Sequence, residues 1–277
     1  MRRVMVTGAA GQLGSTMVAK LSPRHTVAAF TRSQLDLGDD RAILQALRSH
    51  RCDVIVNCAA YNDVDATEDD PSAAITANAL VVQALVRASA AANAMLIHYG
   101  TDFVFDGSTS RPYLESDAPR PLSAYGMSKL LGEWLALASP RGYVLRVESL
   151  FGGRPAKSSL DKIAASIRDG QTVRVFADRT ITPTFVDDIA MATERLIATR
   201  PEPGIYHCVN EGPTTWLTIA QEIGRLLGVT PQLVPITLAE VKLKARRPLY
   251  CALSNDKLHA AGIEMPPWQD ALARYLA

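Results

Sequence analysis

An apolar run, Arg3-Val4-Met5-Val6-Thr7, leads directly into Gly8-Ala9-Ala10-Gly11-Gln12-Leu13-Gly14. The run predicts a strand, the glycines a tight turn, and Gln12–Leu21 a helix whose amino end faces that turn. Free N–H groups and the positive end of the helix dipole make such a helix start a phosphate site. Missing side chains let the backbone come close to a pyrophosphate. Gly8, Gly11 and Gly14 follow the spacing GxxGxxG in place of GxGxxG, which widens the turn. Alone, the pattern suits a nucleotide site or a plain structural turn; its place between a strand and a helix favours the nucleotide.

Apolar runs then alternate with helix-like stretches, the pattern of a parallel sheet covered on both faces. Strands are expected near Val4–Thr7, Thr26–Thr31, Val54–Asn57, Met95–Tyr99 and Val144–Val147. Helices are expected near Gln12–Leu21, Asp39–Ser49, Ala73–Ala91 and Ala124–Ala138, with Asp39, Asp40 and Pro71-Ser72 as start signals. The expected fold is α/β, a Rossmann-type doubly wound parallel sheet with a smaller α/β carboxy-terminal substrate domain. The rhythm changes after Phe151, so residues 1–150 are read as the dinucleotide-binding domain. The chain is expected to return to it at about 174–209, leaving 151–173 and 210–277 as the substrate-binding part. The proline-rich loop Gly107–Ser123 precedes the fourth of these helices and has the length of a lid or binding loop.

A net charge of +1 over 277 residues leaves no electrostatic footprint for nucleic acid or a membrane surface. The first strand begins almost at Met1, so no signal peptide is expected and the location is read as cytoplasmic. No apolar run reads as a membrane span; Ala88–Ile97 is short and holds Asn93. Cys52, Cys58, Cys208 and Cys251 show no CxxC pair or metal-ligand spacing, so four reduced thiols and no metal are expected. Cys58 falls at a strand end that should face a cofactor.

Tyr125 is the one tyrosine with a lysine four positions on, Lys129, which places both on one helix face. A neighbouring ammonium lowers a phenol's pKa, so the pair suits proton donation to a carbonyl that receives hydride. The competing reading is a surface pair whose lysine stem covers the ring. Thr101 ends a predicted strand, the edge where ligands of parallel sheets bind, and its hydroxyl can hold a carbonyl beside Tyr125 or merely cap a turn. Asp102 has the same two readings. Asn78 suits either a water anchor or a buried carbonyl's partner. The second strand ends Phe30-Thr31-Arg32 with no acid at its tip, which favours NADPH over NADH if Arg32 takes the 2′-phosphate. A solvated surface arginine is the alternative. Asp36 and Leu37 are placed to flank the adenine.

Together, the glycine turn, Asn57-Cys58-Ala59-Ala60-Tyr61 with Val64-Asp65, Thr101-Asp102-Phe103-Val104-Phe105-Asp106-Gly107, Tyr125-Gly126-Met127-Ser128-Lys129 and Gly212-Pro213-Thr214-Thr215-Trp216 resemble the dTDP-4-dehydrorhamnose reductase family of extended short-chain dehydrogenase/reductases. The resemblance continues through Pro183-Thr184, Gly204-Ile205-Tyr206-His207, Arg247-Pro248 and Leu253-Ser254-Asn255. It implies reduction by NADPH or NADH of the keto group of a nucleotide-linked 4-keto-6-deoxysugar, by a monomer or a homodimer. Tyr125 is then the proton donor, Lys129 holds the ribose and tunes Tyr125, and Thr101 orients the 4-keto group. Gly11, Gln12, Leu13, Asp36, Leu37, Ala59, Ala60, Tyr61 and Asn62 hold the dinucleotide. Asp102 and Val64 border the sugar, and Arg247 lies near the nucleotide diphosphate.

Three departures stand out. Arg146-Val147-Glu148-Ser149 replaces the family's usual Arg-Thr-Ser-Trp, so Ser149 stands where a tryptophan packs on the sugar. Asp178-Arg179 replaces Asp-Gln, and Gly100 stands where serine is common. Two alternatives stay open: an epimerase or dehydratase of the same superfamily, and a non-catalytic subunit like the β-subunit of methionine adenosyltransferase.

Overall fold

The first half of the computed structural model, which describes residues 1–277, alternates strand and helix. It runs β1 (Arg3–Thr7), α1 (Gln12–Leu21), β2 (Thr26–Phe30), α2 (Asp40–Ser49) and β3 (Val54–Asn57). A short α3 (Ala66–Asp69) precedes α4 (Pro71–Ile75), a π turn (Thr76–Leu80) and α5 (Val81–Ala92). β4 (Met95–Thr101), α6 (Ala124–Leu137) and β5 (Gly142–Val147) follow. The second half begins with β6 (Leu150–Phe151), α7 (Ser159–Arg168), β7 (Val173–Phe176), β8 (Thr180–Ile181), β9 (Thr184–Phe185), α8 (Val186–Thr199) and β10 (Gly204–His207). It ends with β11 (Thr214–Thr215), α9 (Trp216–Leu227), β12 (Leu233–Ile236), α10 (Asp256–Ala260) and α11 (Trp268–Leu276).

Six strands form one parallel sheet in the order β10-β5-β4-β3-β1-β2. This is the doubly wound α/β architecture. The strands read as unbroken apolar runs because both faces are covered. Val4 and Val6 enter one core with Met17 and Ile189, whereas Met5 enters the other with Ile43 and Leu85. The chain leaves β1 toward β2 and then crosses back to β3, so the crevice of the sheet opens between the ends of β1 and β3.

Asp39 caps α2 by accepting from Arg41 and Ala42 N–H, and Asp70, instead of Pro71-Ser72, caps α4 by accepting from Ala73 N–H. One expectation is overturned here. Pro71–Ala92 forms a continuous 22-residue helix apolar enough to span a membrane, and half of its most apolar window is buried inside the molecule. The helix starts at Pro71, two residues before the expected Ala73, and Val82, Leu85 and Ala88 face the second core. Val173–Phe176 is likewise a strand, but it does not return to the large sheet. It pairs in parallel with β12, because its partner lies about sixty residues ahead, where no local pattern reveals it. The loop before α6 is pinned, with Tyr113 N–H donating to Ala252 O at 2.8 Å and Ser254 N–H to Tyr113 O at 2.9 Å.

Candidate active site

A cavity of about 830 Å³ fills the crevice between β1 and β3. Gly8 turns the chain with φ +65°, and a Cβ there would lie 2.7 Å from Ala59 N, so the turn rests directly on the chain leaving β3. No side chain caps α1, which leaves its first N–H groups free for an anion. Gly8, Gly11, Gln12 and Leu13 line this end. Gly14 does not; it lets α1 pack on the turn, since a Cβ would stand 2.1 Å from Gly8 O. Arg32, Asp36 and Leu37 line the far end, and Ala59, Ala60, Tyr61 and Asn62 line the side below β3. Lys157, on the loop before α7, also reaches this cavity, and nothing in its local sequence marks it. Cys58 lines the wall too, but burial pushes its thiol well above the usual range, so it stays protonated.

Tyr125 and Lys129 stand on the wall beside Tyr99 and Gly100. The Ser123 hydroxyl caps their helix by accepting from Gly126 N–H. Lys129 is buried and donates from Nζ to Tyr99 O at 2.6 Å. Burial lowers its pKa to about 8, with Glu133 and Cys58 opposing. The expected lowering of Tyr125 by Lys129 is not present here. Burial raises the phenol well above its ordinary value, a Thr101 hydrogen bond pulls the other way, and Asp102 and Glu133 raise it further. The Lys129 ammonium is turned to the Tyr99 carbonyl.

Behind this pair lies a polar core that no local sequence pattern reveals. Arg146 donates to both oxygens of Glu133, the shortest contact being 2.8 Å, and the pair is almost wholly buried. This explains Gly100. A Cβ there would sit 2.2 Å from Glu133 Oε1 and 3.0 Å from Arg146 Cγ, so the family's common serine has no room. Thr7 Oγ1 donates to Asn57 Oδ1 at 2.7 Å, and Asn57 Nδ2 donates to His98 Nδ1 at 3.1 Å. Burial, followed by the Lys129 charge, keeps His98 neutral. Asn78 clamps the loop after β3: it accepts from Tyr61 N–H and donates to Tyr61 O and to Ser128 Oγ, each at 2.9 Å.

Thr101, Asp102, Val64, Ser149 and Arg247 lie outside the lining of the cavity. Thr101 ends β4 and donates from Oγ1 to Asp102 Oδ1 at 3.0 Å. Val64 sits in a loop tied to the carboxy-terminal segment, because the neighbouring Asp65 takes Arg247 at 3.0 Å and Ala245 N–H at 2.9 Å. Arg247 stands over the Phe103 ring at 5.7 Å, and that ring meets Tyr125 edge-on at 5.6 Å. Ser149 holds a left-handed backbone, φ +44°. The turn carries no tryptophan, and its neighbour Glu148 is buried.

The arrangement joins a bare glycine turn and a tyrosine–lysine pair on the wall of one cavity, with a threonine next to the tyrosine. It can hold a dinucleotide and deliver a proton beside it. The family model described as RmlD substrate binding domain matches residues 1–277. A dTDP-4-dehydrorhamnose reductase of Streptomyces griseus is 37% identical, covering 98% of this chain and 91% of that one. A probable dTDP-4,6-dihydroxy-2-methyloxan-3-one 4-ketoreductase of Streptomyces antibioticus is also 37% identical, covering 98% and 93%. The crystal structure of dTDP-4-dehydrorhamnose reductase from Bacillus anthracis in complex with NADP superposes with a TM-score of 0.94 at 29% identity, covering 99% and 98%.

Proposed function

The chain belongs to the dTDP-4-dehydrorhamnose reductase family, and from that premise we propose that it is an NADPH-dependent oxidoreductase acting on the 4-keto group of a nucleotide-linked 4-keto-6-deoxysugar, as in dTDP-L-rhamnose biosynthesis. The observation that carries this reading is the position of Tyr125 and Lys129 on the wall of the cavity that the glycine turn opens. The free N–H groups of α1 and the bare Gly8 turn fit a pyrophosphate. Bound NADPH supplies the hydride. Gly11, Gln12 and Leu13 hold its phosphates, Arg32 takes the 2′-phosphate, and Asp36 and Leu37 flank the adenine. Ala59, Ala60, Tyr61 and Asn62 support the opposite side.

Thr101 orients the ketone, and Tyr125 gives its phenolic proton to the developing alkoxide. Lys129 holds the ribose, and its ammonium stabilises the tyrosinate left behind. Residues 151–173 and 210–277 close over the sugar nucleotide, with Val64, Asp102 and Ser149 along the sugar and Arg247 toward the diphosphate. The bridge from Arg247 to Asp65 ties that part to the loop between β3 and α3. Closure excludes water from the reacting atoms.

The test is NADPH oxidation followed by absorbance, with and without dTDP-4-dehydrorhamnose. Oxidation that depends on the sugar is the expected outcome; tight NADPH binding with no oxidation for any 4-keto sugar overturns the reading. Two observations favour carrying a second keto sugar in that assay. Ser149 replaces the packing tryptophan, and a relative of equal identity is named for a different 4-ketoreduction.

A further inference from the structure

Two of the sequence departures, Glu148 and Arg179, meet in the fold. Glu148 follows β5, Arg179 precedes β8, and both are buried beside Asp102 and Cys251. A carboxylate oxygen of Asp102, one of Glu148 and the Cys251 sulfur lie within 4.8 Å of one another. The hydrogen bonding of these acids is incomplete. Glu148 Oε2 accepts from Thr182 N–H at 2.7 Å and from the Thr182 hydroxyl, and Asp102 Oδ1 accepts from Thr101. Asp102 Oδ2 and Glu148 Oε1 are buried without a hydrogen bond, although the Cys251 thiol, which donates to Pro248 O at 3.5 Å, stands beside Asp102 as a weak donor. Arg179 leaves them bare, because its Nε donates to Pro248 O at 3.2 Å and its Nη2 to Cys251 Sγ at 3.5 Å. A metal ion is disfavoured by that same guanidinium and by a thiol that burial keeps protonated.

Two ionised carboxylates against one guanidinium leave a net negative charge in a dry interior, and one retained proton removes it. Burial pushes both carboxyls up, the Asp102 charge pushes Glu148 up further, and Arg179 opposes. The other titratable or charged groups facing the cluster are Tyr125 from α6, Cys251 and Tyr250 from the segment after β12, and Arg247 behind Arg179.

We propose that Asp102 and Glu148 share a single proton, and that through it Glu148 controls whether the Thr101 hydroxyl is committed to Asp102 or free to donate to the keto oxygen. The inference rests on the reductase reading above. Thr101 has one hydroxyl proton, here given to Asp102, while its oxygen accepts from Phe103 N–H at 3.3 Å and meets the Tyr125 hydroxyl. With the shared proton on Asp102 and its O–H turned to Thr101, the carboxyl donates there in place of the Tyr125 hydroxyl, which turns to the keto oxygen, and the threonine proton is released toward substrate. The proton shifts from the Glu148 carboxyl to the Asp102 carboxylate and later returns. The pair's proton count is unchanged, and the proton on the product still comes from Tyr125. Glu148 is therefore a positioning residue acting through Asp102.

Infrared difference spectra of the full chain with NADPH, wild type against Glu148→Gln at neutral pH, read the protonated carboxyl without turnover. The carboxylic acid band is expected in the wild type and lost in the variant. Its absence from the wild type overturns the shared proton, whether or not the sugar is turned over. Steady-state pH profiles read the consequence. The amide of the Glu148→Gln variant cannot give Asp102 a proton, so kcat near neutral pH is expected to fall at least about tenfold with KM little changed. The alkaline limb of kcat is expected to move down by about one pH unit or more, so that activity recovers on acidification, while any limb belonging to Lys129 stays in place. A loss equal at every pH, or no loss, overturns the role of Glu148. Asp102→Asn keeps the volume and carries an amide donor toward Thr101, so the same limb is expected to disappear from its profile; a wild-type limb there overturns the proposal. NADPH affinity and thermal midpoint near wild type identify correctly folded variants in both cases.

Discussion

Two buried acid–guanidinium clusters flank Tyr125 and Lys129, and they are built differently. On one side Arg146 grips both oxygens of Glu133, with neither side chain more than 2% exposed. On the other side Asp102, Glu148 and Arg179 are also buried, yet one oxygen of each acid has no partner and the arginine is turned to a carbonyl and a thiol. A closed bidentate pair has no unspent hydrogen-bonding capacity and acts as scaffold. A cluster with bare oxygens must hold a proton or recruit a partner, and so can respond to its surroundings. Depth of burial is therefore a poor guide to role; the hydrogen-bond accounting separates the two.

The largest effect belongs to the group both clusters serve. Tyr125→Phe is expected to lower kcat by about 10³-fold while NADPH affinity stays close to wild type. Substantial turnover in single-turnover assays of that variant would remove Tyr125 as proton donor and leave the comparison without a centre. The scaffold side is tested by Glu133→Gln, which leaves Arg146 buried without its counter-charge and is expected to cost about 3–5 kcal/mol in denaturant unfolding. Glu148→Gln should cost far less, since it removes a charge already opposed by burial. Equal costs would erase the distinction between the clusters.

Gly100→Ser sharpens the same point. Its Cβ displaces Glu133 Oε1 from 2.2 Å, and a loss of about 1–3 kcal/mol is expected by calorimetry. A neutral result would show that the Glu133–Arg146 pair is pliable. At the cofactor end, Arg32→Ala is expected to weaken NADPH binding about tenfold while barely changing NADH, as one lost phosphate contact dictates. Equal losses for both would take the 2′-phosphate away from Arg32. The gentlest effect is one of pH. Lys129 has a pKa of about 8, lowered by burial, so its ammonium is present below that value and lost above it. Accordingly, kcat/KM is expected to hold through neutral pH and decline as pH rises past about 8, and a flat profile to about pH 10 would contradict that charge state for the free enzyme.

Much of the first half of the chain is legible in the sequence alone, because its signals are local. A strand, a glycine turn and a helix start occupy adjacent residues, and Tyr125 and Lys129 share a face by helical spacing alone. Legibility ends where the deciding partner lies far along the chain. Nothing near Val173–Phe176 points to its partner Leu233–Ile236, whereas Gly204–His207, within the span 174–209 read as returning to the first domain, pairs with β5 in the large sheet. The start of the span Pro71–Ala92 reads two residues late in sequence because Asp70, and not the Pro71-Ser72 pair, caps the helix. Lys157 has no local mark at all; it reaches the cavity because its loop is tied to α1, where Ser15 Oγ and Gln12 Nε2 donate to Arg154 O and Gly152 O.

The α/β class, the glycine turn and the shared helix face of Tyr125 and Lys129 thus follow from the sequence itself, since each depends on residues within a few turns of one another. Glu148, Arg179 and Gly100 are visible there only as departures, without a common meaning. Tertiary structure supplies it: Gly100 is small because Glu133 and Arg146 fill its space, and Glu148 and Arg179 converge on Asp102 from separate segments, one after β5 and one before β8. Electrostatic energy in a buried site depends on distances between groups that the chain brings together last, so their charge states and roles exist only in the folded molecule.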